Sequence, residues 1–521
     1  MAFTSVLFPE NYTNRDTLDE APDYFRDLNL DQIVDEIISD KRLEYLKRHY
    51  YTAIESAETI RYRQALFSDL KNSKILLDTL LNFAKSISYM DSGRIKICDA
   101  LLSNIAYRCT YLEKSRLYSF VQNYCVKTRE IFSYLEKNET SSEALNGFKE
   151  YLRNYISSEY FIELERSTSL LKAKFSQIRY TMSIKDSSIV VDKYKDEPDY
   201  SSKIKNLFEK FNYGSADDIH IEDQPADFAE HVEAGVLKLV ATELYPGIFA
   251  ELDSFCSKYK NFIDPVICLF AKEITFYTSY LGFAASLENK GLTFCIPAID
   301  KDIKNIYANE SFDVSLAKKL VRQGQQNKIV CNDFALYQNE KIIVVTGPNQ
   351  AGKTTFARLF GQVFHLAAIG CPIPGTSASL SICDSIYTHF ERQESLITLN
   401  GKLHNDLSRI HSILNTATAR SVIVINEFLA STSLEDSLFI GKEIIQEISK
   451  LGSICVYVTF IDELSVCTEN IVSMTGSVLP EDPTKRTYKI TRNKADGIAY
   501  AMHIARKYRL THELLMERIK L

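Results

Sequence analysis

One stretch limits the fold more than any other. A short apolar run, Lys341 to Thr346 (KIIVVT), leads directly into Gly347-Pro348-Asn349-Gln350-Ala351-Gly352-Lys353-Thr354, and a helical pattern follows from Phe356 to Ala368. A buried strand, a GxxxxGK[ST] loop and a helix in this order form a phosphate-binding arrangement. The glycines allow successive main-chain N–H groups to turn toward one anion, and the helix N-terminus adds favourable partial charge. Lys353 is expected to reach the β- and γ-phosphates of a nucleotide and the Thr354 hydroxyl to bind Mg²⁺. Gly347 through Thr355 are therefore the candidate nucleotide-binding residues, with ATP and Mg²⁺ as the cofactors.

A second buried strand, Ser421 to Ile425 (SVIVI), ends in Asn426-Glu427. Polar residues at such a strand end hold the metal's water and the attacking water, so Glu427 is the candidate general base and Asn426 the candidate Mg²⁺ contact through water. Asn426 stands where an aspartate is usual and brings no charge. A charge pair about 5 Å apart is worth roughly 3 kcal/mol at an effective dielectric of 20, so weaker metal binding and slow hydrolysis are expected. A third apolar run, Ile454 to Thr459 (ICVYVT), and an amphipathic helix, Ile440 to Ile448, complete a strand-helix-strand order. That order implies a mostly parallel sheet covered on both faces.

The chain has 521 residues and changes character near residue 300. Upstream it is charged, amphipathic and poor in glycine. Leu145, Phe148, Leu152, Tyr155 and Ile156 recur at helical spacing, and Tyr160, Leu164, Leu171, Phe175 and Ile178 continue the stripe. As one helix this would span roughly 50 Å at 1.5 Å per residue. A second stripe runs through Phe228, Val232, Val236, Val240, Leu244, Ile248, Leu252 and Phe255, with Pro246-Gly247 expected to kink or break it. Between the stripes the period changes to two. Ile178, Tyr180, Met182 and Ile184, a turn at Asp186-Ser187-Ser188, and Ile189 to Val191 predict a β-hairpin over residues 178–191. Its lysines are offset by aspartates, so a solvated hairpin and a nucleic-acid contact both stay open.

The net charge of −7 does not favour nucleic acid, but phosphate contacts need only a local basic patch. Eleven scattered cysteines fit reduced thiols in a cytoplasm, and no zinc site is expected. Val266 to Ala285 is interrupted by Lys272 and Glu273, which favours a buried helix over a membrane span. Met1 to Pro9 does not have the pattern of a signal peptide.

The stretch Thr346 to Thr355, with its Pro348-Asn349 pair, resembles the Walker A loop of the MutS family. Gly370-Cys-Pro-Ile-Pro374, Asn332-Asp333 and Thr432-Ser433 resemble further segments of that family, and Asp496 to Ala505 is similar to its C-terminal helix-turn-helix. The resemblance is dense over residues 329–515. It implies an ABC-like α/β P-loop ATPase domain (MutS domain V) over residues 301–521, ending in a dimerisation segment. Before it would come a helical connector and core (residues 1–125) and long lever helices with a clamp-like hairpin (residues 126–300). It further implies a homodimer with composite ATP sites, Gly401, Thr432 and Ser433 facing the partner, and mismatched or branched DNA as the substrate. A heterodimer with a full-length relative is a second possibility.

Several positions depart from the family pattern. Phe460 stands at the switch histidine and Gly401 at the trans-acting serine, and the mismatch-reading domain is expected to be missing. Phe148-Lys-Glu150 and Phe161-Ile-Glu163 are chance matches to the mismatch-reading motif on a helical stripe. With Asn426, these departures leave two readings open: an ATPase that clamps DNA, or an ATP-binding switch with little hydrolysis that clamps a structured RNA or the ribosome.

Overall fold

A computed structural model describes residues 3–10, 12, 17–102, 110–185, 188–196, 235–300, 304–391, 402–429, 432–479, 482–494 and 510–519. Gly401, Asp496 to Ala505, the hairpin turn at Asp186-Ser187, and Phe228 and Val232 of the second stripe lie outside the described residues.

The rods of the helical half are Lys74–Leu102 and Thr110–Lys137, with 29 and 28 residues. Each spans about 42 Å at 1.5 Å per residue. The expected boundary at residue 125 therefore falls inside a helix. That helix runs on because Leu117, Val121, Tyr124, Cys125, Ile131 and Leu135 bury one continuous stripe.

The single long helix expected over residues 145–178 is instead two, Glu143–Ile156 and Glu159–Phe175. Ser158 is extended and its hydroxyl accepts from Phe161 N, capping the second helix. A capping serine supplies a hydrogen-bond partner to a new helix start, which competes with continuing the old helix. The apolar stripe was real, but it belongs to two helices. Phe148 and Phe161 are fully buried, and Phe148 stacks on Phe270 at 3.5 Å.

β1 (Tyr180–Lys185) and β2 (Ser188–Lys193) form the antiparallel hairpin, paired from Tyr180↔Lys193 to Lys185↔Ser188. Tyr245 fixes its base: the phenol donates to Arg179 O (2.7 Å) and accepts from Arg179 N (3.2 Å). Tyr245 also marks the break in the second stripe. A π-turn, Val240–Leu244, precedes it, and Pro246 opens the helix Pro246–Lys258. Proline lacks the N–H a helix interior needs but suits a first turn. Pro265–Glu288 is a helix buried on most sides, with Glu273 accepting from Ser5 Oγ (2.7 Å) and Val6 N (2.9 Å). Among the described residues no helix is long and apolar enough to cross a membrane.

β3 (Phe294–Cys295) and β4 (Ala298–Asp300) already belong to the α/β half, so its first strands lie just before residue 301. β5 (Asn305–Ser311), β6 (Asn332–Tyr337), β7 (Ile342–Thr346), β8 (Ile373–Pro374), β9 (Ser377–Ser381), β10 (Ile386–Phe390), β11 (Val422–Asn426), β12 (Ile454–Val458), β13 (Ile471–Leu479) and β14 (Asp482–Thr491) follow. The main sheet has six strands in the order β10-β11-β12-β7-β13-β14, parallel except for β14. A four-stranded sheet, β4-β9-β5-β6, lies beside it.

The N-terminal segment packs onto the helix Lys353–Ala368, which starts at the glycine loop. Leu28 fills the space where Gly361 has no side chain, and Gln362 donates to Leu28 O (2.9 Å). His365 Nε2 donates to Tyr50 O (2.9 Å), which leaves Nδ1 to accept from Tyr24 OH (3.1 Å). Arg63, fully buried, donates to Leu7 O and to Ile369 O, both at 3.0 Å. The two halves thus share one apolar core.

Candidate functional site

The C-terminal ends of β7, β11 and β12 are adjacent, which is where a parallel sheet presents its ligand site. β7 is buried along its whole length and ends at Thr346. Gly347 then takes φ +116°, and a Cβ there would lie 2.9 Å from Gly476 N. Both the dihedral and the close approach of β13 require glycine. Gln350 is left-handed (φ +63°), and Gly352 (φ +93°) starts the helix whose first residues are Lys353, Thr354 and Thr355. Gly347 to Thr355 therefore form one curved turn from strand to helix.

Lys353 is only 4% exposed, and its ammonium donates to the carbonyls of Gly347 (2.9 Å) and Pro348 (3.2 Å). Burial lowers its pKa, the negative charge of Glu427 opposes that, and Arg486 lowers it further. The lysine is thus folded onto its own loop, among groups of both signs.

Asn426 and Glu427 sit where β11 ends beside β12, and Glu427 N donates to Val458 O (3.0 Å). Glu427 is half-buried and left-handed (φ +53°), an uncommon conformation for a non-glycine residue that gathers at functional sites. Asn426 is 6% exposed, and its Oδ1 has no hydrogen-bond partner in the protein. A buried unpaired oxygen is costly unless a ligand meets it. Thr354, the expected Mg²⁺ ligand, is half-buried in the first turn of the helix Lys353–Ala368. Among the described residues no group of three or more His, Cys, Asp or Glu is placed to hold a metal ion.

Other residues reach this loop from far along the chain. Arg486 Nε donates to Asn349 O (3.3 Å), and the backbone of Tyr488 (φ +59°) lies 3.6 Å from where a Cβ on Gly352 would be. Asn332 holds this strand in place, accepting from Ile490 N (2.7 Å) and donating to Tyr488 O (3.2 Å). Sequence reasoning picked out Asn332 but missed Arg486 and Tyr488, because β14 carries no local motif.

Of the residues expected to face a partner, Thr432 is half-buried and Ser433 exposed. Ser433 caps the helix Leu434–Leu451, accepting from Asp436 N (3.1 Å). Phe460, just beyond β12, is 47% exposed.

The family model for MutS domain V matches residues 343–518. The DNA mismatch repair protein MutS of Brevibacillus brevis is 30% identical over 187 residues, 35% of this chain and 22% of the relative. That of Lactobacillus gasseri is 25% identical over 298 residues, 56% of this chain and 33% of the relative. The DNA mismatch repair protein MSH3 of Kluyveromyces lactis is 25% identical over 280 residues, 52% of this chain and 26% of the relative. The matches thus span between 22% and 33% of the length of these relatives.

Proposed function

The chain belongs to the MutS family, matching the C-terminal part of MutS, and from that premise we propose that it is an ATP-binding, slowly hydrolysing ATPase that acts on DNA. The observation that carries this reading is the convergence of the Gly347–Thr355 turn, buried Lys353 and strained Glu427 at adjacent strand ends.

In this reading the main-chain N–H groups of the loop and the start of the helix Lys353–Ala368 receive the phosphates. Lys353 leaves the Gly347 and Pro348 carbonyls and donates to phosphate oxygens. Glu427 orients a water and takes its proton as the water attacks. Thr354, and Asn426 through a water, would hold Mg²⁺, which when bound would supply charge that offsets the phosphates. Asn426 contributes no charge, so turnover is slow.

Dimerisation through the same face is part of the proposal. Leu434 and Phe439 on the helix capped by Ser433, and Phe460 and Val466 beside it, are all exposed. Apolar groups gathered next to a polar site favour cover by another chain. The hairpin is the candidate DNA contact: Tyr180, Met182 and Ile189 are exposed, and Lys193 lies 5.5 Å from the Tyr245 ring.

The test of this function is ATP turnover together with binding to duplex, mismatched and branched DNA over a salt series. Turnover above that of Lys353→Ala and a falling affinity with salt support it. Affinity unaffected by salt contradicts phosphate contact.

A further inference from the structure

The glycine loop is walled on one side by the β13–β14 pair, and the two meet along most of the loop. A Cβ on Gly347 would lie 2.9 Å from Gly476 N, one on Gly476 would lie 2.8 Å from Ala351 Cβ, and one on Gly352 would lie 3.6 Å from Tyr488 O. These three approaches are close packing and carry no direction. The fourth is a directed bond, in which Arg486 Nε donates to Asn349 O (3.3 Å).

A bulge in β14 fixes the point from which Arg486 reaches the loop. The strands are in register at Gly476↔Ile490 and again at Val478↔Arg486, so Ser477 on β13 faces three residues, Thr487, Tyr488 and Lys489, on β14. Extra residues in one strand bend it and re-aim its side chains. Side-chain bonds hold this bulge: Thr487 Oγ1 donates to Ser477 O (2.8 Å), and Asn332 accepts from Ile490 N (2.7 Å) and donates to Tyr488 O (3.2 Å). Half-buried Arg486 therefore leaves the strand from a braced position.

The carbonyl that Arg486 holds shares a peptide unit with the N–H of Gln350. The unit is planar and trans, so the two groups point in opposite directions. A carbonyl turned to the β13–β14 wall sends that N–H away from the wall. Gln350, at φ +63°, then curls the chain in the way that gathers neighbouring N–H groups on one anion. We propose that Arg486 is a positioning residue for the nucleotide loop: by holding Asn349 O it turns the Gln350 N–H toward the phosphates of a bound nucleoside triphosphate. The inference rests on the nucleotide reading above. Without the guanidinium this peptide is free to flip, and a flipped unit offers the phosphates a carbonyl oxygen, which repels them. The charge of Arg486 is also felt at Lys353, whose pKa it lowers, so the test separates the bond from the field.

The experiment measures the dissociation constant of ATP with Mg²⁺ by calorimetric titration. It is run below the melting transition of every variant, so lost stability is not read as lost affinity. It compares the full chain with Arg486→Met, Arg486→Lys and Arg492→Met at about 0.05 M and about 0.5 M salt. Arg486→Met is expected to weaken binding about tenfold at both salt concentrations, because a directed bond persists where the field of a charge is screened. Arg486→Lys keeps a donor and is expected to stay within about threefold of the native chain. Arg492→Met, just beyond β14 and paired with Glu340, leaves the affinity in place. Unchanged affinity in Arg486→Met, a loss that disappears at the higher salt, or an equal loss in Arg486→Lys or Arg492→Met overturns the inference. A native chain that takes up no ATP refutes the nucleotide reading itself, an outcome distinct from a native chain and an Arg486→Met variant that bind ATP equally well.

Discussion

The ammonium of Lys353 lies 2.9 Å from the carbonyl oxygen of Gly347, the first residue of its own loop. The bond closes the turn on itself and satisfies a cation that is almost fully buried. In the proposed function a phosphate takes the place of this carbonyl and that of Pro348, exchanging one set of charge-assisted bonds for a stronger set.

The loop tolerates no side chain at its first glycine. Gly347→Ala meets both a left-handed dihedral and a Cβ 2.9 Å from Gly476 N. It is expected to destabilise the protein by about 1–3 kcal/mol and to abolish the ATP response. Gly282→Ala, in an exposed part of a helix with nothing within 4 Å of the new Cβ, is expected to stabilise by up to about 1 kcal/mol. Urea unfolding of both variants checks the contrast.

Glu427→Gln is expected to lower turnover by about a hundredfold or more, the usual weight of a general base, while ATP binding persists. Turnover assays and ATP-induced melting shifts on the same preparation separate the two effects.

Asp27, near the N-terminus, accepts from Arg409 Nη2 and Thr388 Oγ1, both at 2.7 Å. Its side chain is 5% exposed and that of Arg409 is 25% exposed. Asp27→Asn leaves a partly buried guanidinium without its carboxylate and is expected to cost about 2–4 kcal/mol in urea unfolding.

Stability is expected to fall with pH below neutrality. Burial pushes the pKa of His365 down to about 4 and that of His49 down to about 3. Each is depressed in the folded state, so the unfolded chain binds the proton more readily. The stability these groups contribute is full above about pH 6.5 and is lost as pH falls toward 4, with His365 accounting for up to about 3 kcal/mol. His365→Leu should flatten the urea-unfolding midpoint between pH 7 and pH 5 relative to the native chain.

The strand-loop-helix unit around Lys353 was legible because its signal is local: an apolar run, fixed glycines and a helical stripe within 30 residues. β11 and β12 were legible as continuous apolar runs, as expected for strands buried on both faces. β10 was not, because Thr388 and His389 interrupt it, and their partners Asp27 and Asp406 sit on remote segments. The break at Ser157-Ser158 was hidden by a stripe whose phase continues across it. Arg486 and Tyr488 come to the loop only through sheet order, which no single stretch of sequence encodes.

The central claim is that the Gly347–Thr355 turn holds a nucleoside triphosphate, and thermal unfolding with and without ATP and Mg²⁺ tests it most directly. Ligand at about a hundred times its dissociation constant adds roughly 2.7 kcal/mol of stability, so a clear rise in melting temperature is expected in the native chain and none in Lys353→Ala. An unmoved transition in the native chain, or an equal rise in Lys353→Ala, would contradict the account.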